Sequence, residues 1–109
     1  MTALIYCPFP DRESAEKVAA RLLDERLIAC INIGAGIHSL FVWGGESGAG
    51  DEVPALLKTD ASLLRQAIER LECLHPYETP AILGWPCEAS AGTSAWLGDL
   101  HEGKQGDAH

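Results

Sequence analysis

The side chains best suited to chemistry lie in one stretch, His75–Trp85, with the sequence HPYETPAILGW. Within four residues it holds His75, Tyr77 and Glu78. An imidazole titrates near neutral pH and is a common metal ligand, and a carboxylate oxygen binds cations. Pro76 and Pro80 exclude their preceding residues from helical geometry. We therefore expect a stiff, polar connection at the mouth of a short apolar strand, although a plain helix-to-strand linker would have the same features.

Composition limits the classes of protein to which the chain can belong. With 109 residues, 47% of them hydrophobic and 22% charged, it fits one globular domain. We expect that domain to cover residues 1–102 and to be followed by a polar tail at 103–109. The formal net charge of −8 and the lack of a basic cluster argue against nucleic-acid binding and favour cations as partners. The sequence has no run of membrane-spanning length and begins with a strand, which predicts neither a membrane anchor nor a secretory signal.

Four cysteines are present, and no two of them have the C-x-x-C spacing of a zinc knuckle or a thioredoxin-type site: Cys7, Cys30, Cys73 and Cys87. Cys30 lies in an apolar run, where a free cysteine behaves as a small buried hydrophobe. A reduced, cytoplasmic protein fits this usage best.

The first half of the chain predicts a strand, a helix and a long hairpin. Ala3–Cys7 is a short apolar strand, and Asp11 can cap the helix that follows. Apolar residues recur with helical spacing after Asp11, and they predict the buried stripe Ala15, Val18, Ala19, Leu22 and Leu23. Leu27–Ile33 is a nearly continuous apolar run that Gly34 and Gly36 interrupt, and it resumes through Ile37–Trp43, so the two pieces could form one long, bent strand. GGESGAGD then predicts a flexible turn, and Glu52–Thr59 the returning strand.

The second half predicts a helix, a strand and a last helix. Thr59 or Asp60 can cap the first of these helices, whose core stripe is Leu63, Leu64, Ala67, Ile68 and Leu71. Ala81–Trp85 is the expected last strand. Ser94 can cap a short C-terminal helix.

The resulting order is β-α-β-β-α-β with an added C-terminal helix. This is the ferredoxin-like split β-α-β arrangement of the α+β class, in which helices cover one face of an antiparallel sheet. The right-handed crossover rule favours the strand order 4-1-3-2. The first and last strands are then antiparallel neighbours, so Cys7 at the end of one and His75 just before the other are expected to meet.

Four blocks of the chain, in this order and with compatible spacing, resemble the CutA family of divalent-cation tolerance proteins: SAEKVAARLLDERLIACINI, GIHSLFVWGG, EVPALLKT and LHPYETPAIL. The resemblance runs from about Leu4 to Leu100. It implies a ferredoxin-like fold and a homotrimer of PII-like architecture, in which the long hairpin extends the sheet into neighbouring subunits. Phe41 and Trp43 would then be interface residues.

The resemblance also implies a metal site for copper(II) or another divalent cation, without an organic cofactor. Cys7 and His75 match two of the ligands proposed for the family, and thiolate with imidazole suits copper or zinc. The third family ligand is a glutamate, and Ala81 occupies its position in this chain. Weak binding is therefore expected, with Glu78 or water as the substitute. A further departure is Glu46, where a lysine is common.

Two other functions stay open. One is a PII-like regulatory trimer that binds a small molecule in a cleft between subunits, near Phe41, Trp43, Lys58 and Tyr77. Lys58 can equally be a lysine whose stem lies along an apolar strand end. The other is an enzyme in which Cys7 and His75 form a thiolate–imidazole pair. No glycine-rich elbow or orienting acid accompanies that pair, so we expect no enzymatic activity.

Overall fold

The computed structural model describes residues 1–102, and the expected polar tail at 103–109 lies outside them. Five strands and three α-helices make up the described part: β1 (Thr2–Phe9), α1 (Arg12–Asp24), β2 (Cys30–Ile33), β3 (Ile37–Trp43), β4 (Glu46–Asp60), α2 (Leu64–Leu74), β5 (Leu83–Cys87) and α3 (Ala91–Glu102). A single 3-10 turn, Ala61–Leu63, precedes α2.

The sheet is antiparallel, with the order β2-β4-β1-β5, and β3 pairs with β4 beyond the end of β2. If β2 and β3 are counted as the single bent strand of the sequence, this is the expected order 4-1-3-2. The ferredoxin-like α+β fold is therefore confirmed. The 15-residue strand β4 is central, because β1, β2 and β3 all pair with it.

Alternate residues of β1 supply the middle of the core. Ile5, Cys7 and Phe9 are fully buried on the face that the helices cover. They pack with buried residues of α1, α2 and β4, among them Val18, Leu22, Leu57, Ala67 and Leu71. The expected stripe on α1 is correct except for Leu23, which is exposed because it lies at the margin of the stripe.

The ends of α1 explain its length. Asp11 caps the first turn, since its carboxylate accepts a hydrogen bond from Ser14 N at 2.8 Å, as predicted. At the other end Arg26 N donates to Leu23 O and Leu27 N to Leu22 O, the two bonds of a Schellman motif. Arg26 occupies the left-handed position of that motif with φ of 59°, where glycine is usual.

The hairpin differs most from expectation. Only Gly44 and Gly45 form the turn, with φ of 62° and 83°, and the rest of GGESGAGD is the first part of β4. Two positive φ values suit the tight hairpin turns that match strand twist. We call β3 together with Glu46–Glu52 of β4 the arm, since this half of β4 pairs with β3 alone.

Two boundaries near the C-terminus were wrong. The last strand is Leu83–Cys87 instead of Ala81–Trp85, and it includes Pro86, which an edge strand tolerates. The last helix starts at Ala91, and its cap is Ser90, whose hydroxyl accepts from Thr93 N at 3.2 Å.

Candidate functional site

A cavity of about 500 Å³ lies between the arm and the loop of residues 75–81. We call it the hairpin pocket. Its lining includes Phe41, Trp43, Glu52, Tyr77, Glu78 and Ala81. Four of the residues that the sequence singled out, Phe41, Trp43, Tyr77 and Glu78, thus line one cavity.

The arm forms one wall of the hairpin pocket. Side chains two residues apart on a strand share a face, so Phe41 and Trp43 of β3 lie on the same side of the arm. Glycine stands opposite Phe41 on β4, at Gly48. A Cβ atom at Gly48 would overlap the Phe41 ring. The glycine therefore lets that ring lie flat against the strand.

His75 supports the loop from inside. Its Nε2–H donates to Pro8 O at 2.9 Å, and its Nδ1 accepts from Tyr77 N at 3.1 Å. The ring is 6% exposed and stacks on Phe9 with a centroid distance of 4.5 Å. Burial lowers the pKa of His75, against the opposing effects of the Pro8 carbonyl and the Glu52 charge. The imidazole is thus a neutral tautomer that uses both nitrogens in hydrogen bonds.

Cys7 lies beside the same backbone carbonyl. Its Sγ contacts Pro8 O at 3.6 Å and its side chain is fully buried. Burial, reinforced by the Glu52 charge, raises the pKa of Cys7 to about 12. Cys7 and His75 therefore converge on one oxygen, as the strand order predicted, but as a thiol and a hydrogen-bonded imidazole.

Glu52 is a functional residue that sequence reasoning missed. It lies directly before Val53, whose pairing with Phe9 is the last between β1 and β4, at the point where the arm begins. Its carboxylate accepts a hydrogen bond from Tyr77 Oη at 2.8 Å. Burial and this interaction with Glu52 raise the pKa of Tyr77 to about 12. The only signal in the sequence was a pair of acidic residues, Asp51 and Glu52, between a glycine-rich segment and an apolar strand.

The three remaining residues that the sequence proposed for the site lie on the pocket wall or farther along the sheet. Glu78 and Ala81 are exposed residues of the pocket wall. Lys58 pairs with Leu4, whereas Cys7 pairs with Ala55, so Lys58 lies about 10 Å farther along β4. Within residues 1–102, no group of three or more His, Cys, Asp or Glu side chains is arranged to hold a metal ion.

The fold and the pocket define a class of protein: a ferredoxin-like domain with a projecting arm and an acidic, aromatic cavity at the arm's base. The chain belongs to the family of CutA1 divalent ion tolerance proteins, whose sequence profile matches residues 3–99. That name describes tolerance of divalent ions and gives no reaction.

Relatives and solved structures agree with this assignment. The divalent-cation tolerance protein CutA of Pyrococcus horikoshii is 46% identical over 80 residues, which cover 73% of this chain and 78% of that protein. The crystal structure of CutA1 from Ehrlichia chaffeensis superposes with a TM-score of 0.84 at 34% identity, covering 91% of this chain and 94% of that one. A protein described as the periplasmic divalent cation tolerance protein CutA of Archaeoglobus fulgidus also gives 0.84, at 33% identity, covering 92% and 98%. None of the helices in residues 1–102 is both long and apolar enough to cross a membrane.

Proposed function

We propose that this chain acts in divalent-cation tolerance by binding a divalent cation, copper(II) or a similar ion, weakly as a homotrimer. The observation that carries the proposal is the convergence of Cys7 and His75 on Pro8 O in a member of the CutA1 family. Glu78, on the neighbouring pocket wall, is the candidate third ligand.

Weak binding follows from the chemistry of the two buried ligands. A metal needs the thiolate of Cys7, whose pKa is raised to about 12. It also needs a free lone pair on His75, and Nδ1 already accepts from Tyr77 N while Nε2 donates to Pro8 O. Binding must therefore displace a proton and at least one hydrogen bond, so affinity should rise with pH. The protonated thiol also argues against a thiolate–imidazole enzyme, and we propose no reaction for the chain.

The exposed face of the arm supports self-association. Leu40 and Val42 are 77% and 71% exposed and share one face of β3, an edge strand, and Trp43, 66% exposed, lies on the other face. Leu83 and Trp85 on β5, another edge strand, are exposed as well. Apolar residues in such contiguity usually mark an interface, and an exposed strand edge pairs readily with another chain. A trimer in which each subunit covers these edges of its neighbour would bury both the exposed apolar side chains and the unpaired strand edges.

A cytoplasmic location is part of the proposal. All four cysteines are within the described residues and none forms a disulfide. Free thiols are the rule in reducing compartments. The exposed Cys73 would be prone to oxidation elsewhere.

Calorimetric titration with zinc tests the metal site, because Zn²⁺ does not oxidise thiols. We expect weak binding that tightens between pH 6 and pH 8, because the metal must displace the proton of the Cys7 thiol, whose pKa is raised to about 12. Cys7→Ser and Glu78→Gln should each reduce affinity, whereas Ala81→Glu, which adds a carboxylate to the pocket wall, should raise it. Glu88→Gln, at an exposed position outside the site, is the matched control. Affinity that is the same in all four variants would contradict the proposed ligands.

Light scattering tests the assembly separately. We expect the mass of three chains at micromolar concentration, and a thermal midpoint that rises with protein concentration because folding and association are linked. A monomer mass, or a reversible midpoint that does not change over a hundredfold concentration range, would rule out the trimer.

A further inference from the structure

The carboxylate of Glu52 is a charge without a cationic partner among the described residues. The side chain is half-buried, and Tyr77 donates a hydrogen bond to its Oε2 at 2.8 Å. Glu78 adds a second acidic group to the lining of the hairpin pocket, and the lining contains no lysine, arginine or histidine. A partly buried charge is expensive unless a charge of opposite sign compensates it.

The other walls of the pocket are apolar and partly aromatic. Phe41 and Trp43 contribute rings from the arm, and Pro8 and Pro80 close the opposite side. Aromatic faces attract organic cations through the negative potential above the ring. At about 500 Å³ the cavity is within the usual size range of small-molecule sites.

We propose that the hairpin pocket binds a small organic cation, an amine or ammonium group attached to an apolar body. The cationic group would lie against Glu52, with Glu78 at the rim, and the apolar body would lie against Phe41 and Trp43. A hydrated Mg²⁺ or Ca²⁺ ion fits this lining less well, since it prefers six or more oxygen ligands and gains nothing from rings and prolines. An anion is disfavoured by both carboxylates.

Two features keep this pocket ready for a ligand. Gly48 and Gly50 of β4 stand opposite Phe41 and Ser39, so β4 contributes no side chain at these two positions of the arm. The hydroxyl of Tyr77 fixes Oε2 of Glu52 and leaves Oε1 available to a ligand. The site proposed here shares only Glu78 with the proposed metal ligands, so binding of an amine and binding of zinc can succeed or fail independently.

The test uses phenethylammonium as the probe and calorimetric titration of the full chain in its native assembly at neutral pH. Phenethyl alcohol has the same shape without the charge and is the matched control ligand. We expect saturable binding of the ammonium compound and at least tenfold weaker binding of the alcohol. A tenfold ratio corresponds to about 1.4 kcal/mol, within the range of a charge-assisted hydrogen bond.

Two pocket variants separate charge from shape. Glu52→Gln removes the charge but can still accept from Tyr77, and it should weaken phenethylammonium binding about tenfold or more. Tyr77→Phe removes the hydroxyl that positions Glu52 but keeps the charge, and it should weaken binding less than Glu52→Gln does. Glu69→Gln on the exposed face of α2 removes a charge of the same sign far from the pocket and should have no effect.

Three results would overturn the proposal. One is the absence of saturable binding, as would occur if a second copy of the chain filled the pocket in the assembly. Another is equal affinity for the ammonium compound and the alcohol. The third is unchanged affinity in Glu52→Gln, with circular dichroism showing the variant folded.

Discussion

Replacing His75 by alanine should be among the most destabilising single changes in this fold. The substitution leaves Pro8 O and Tyr77 N without their present partners, at about 1–3 kcal/mol for each buried group. It also removes the stack on Phe9, worth about 0.5–1.5 kcal/mol. Taken together, the expected loss is about 2.5–7.5 kcal/mol, a large part of the about 5–15 kcal/mol by which domains are usually stable.

Urea unfolding followed by circular dichroism measures this loss, with all proteins at one concentration because folding is expected to be linked to association. His38→Ala is the matched control. His38 is exposed on the arm, and its partner Asp51 is exposed as well, so its loss should change stability by less than about 0.5 kcal/mol. If His75→Ala costs less than about 1 kcal/mol, the two hydrogen bonds of His75 do not hold the loop, and this account of the site is wrong.

Burial lowers the pKa of His75, so below the usual pKa of about 6.5 the unfolded chain binds more protons than the folded one. The free energy of unfolding should therefore fall as the pH decreases below about 6.5, with a limiting slope of about 1.4 kcal/mol per pH unit. Urea midpoints from pH 7.5 to pH 5 measure this, and His75→Gln should flatten the profile. Arg26→Gly should raise the free energy of unfolding by about 1 kcal/mol, and with it the thermal midpoint, because glycine adopts the left-handed conformation without steric cost. A lower midpoint would refute that reasoning. Trp43→Ala should weaken the assembly in light scattering, and an unchanged mass and midpoint would make Trp43 peripheral. A thiol reagent at pH 8 should label Cys73 and leave Cys7 unmodified until the chain unfolds.

Much of the fold could be predicted, because apolar periodicity located the helices and the right-handed crossover rule gave the strand order. The helix stripes, the strand order and the approach of Cys7 to His75 all came from these. The length of β4 could not be predicted, since glycines in GGESGAGD are usual in turns. Here Gly48 is required by the Phe41 ring that lies on it, a contact visible only after the strands are paired. Pro86 likewise made the end of β5 hard to predict, because the interior of a strand tolerates proline mainly at the edge of the sheet.

The site was harder to predict for a similar reason. Sequence could indicate that His75 and Tyr77 matter, but not that both nitrogens of His75 are used in hydrogen bonds within the fold. The pairing of Tyr77 with Glu52 depends on the path of the loop, which carries Tyr77 across to the start of the arm. Lys58 was considered for the ligand site because it ends an apolar run. Within one subunit the register sets it well along the sheet from the pocket, and its place in a cleft between subunits stays a prediction.

The central place of β4 also has a consequence for how the chain folds. β1 pairs with β4 from Thr2 with Asp60 to Phe9 with Val53, so these contacts close loops of more than forty residues. The β3–β4 hairpin, by contrast, needs only the Gly44–Gly45 turn and can form on a microsecond timescale. Contacts that are distant in sequence slow folding, because loop closure must precede them. During synthesis β1 therefore leaves the ribosome first and stays unpaired until β4 has followed, with the apolar face that carries Ile5 and Phe9 open to other chains.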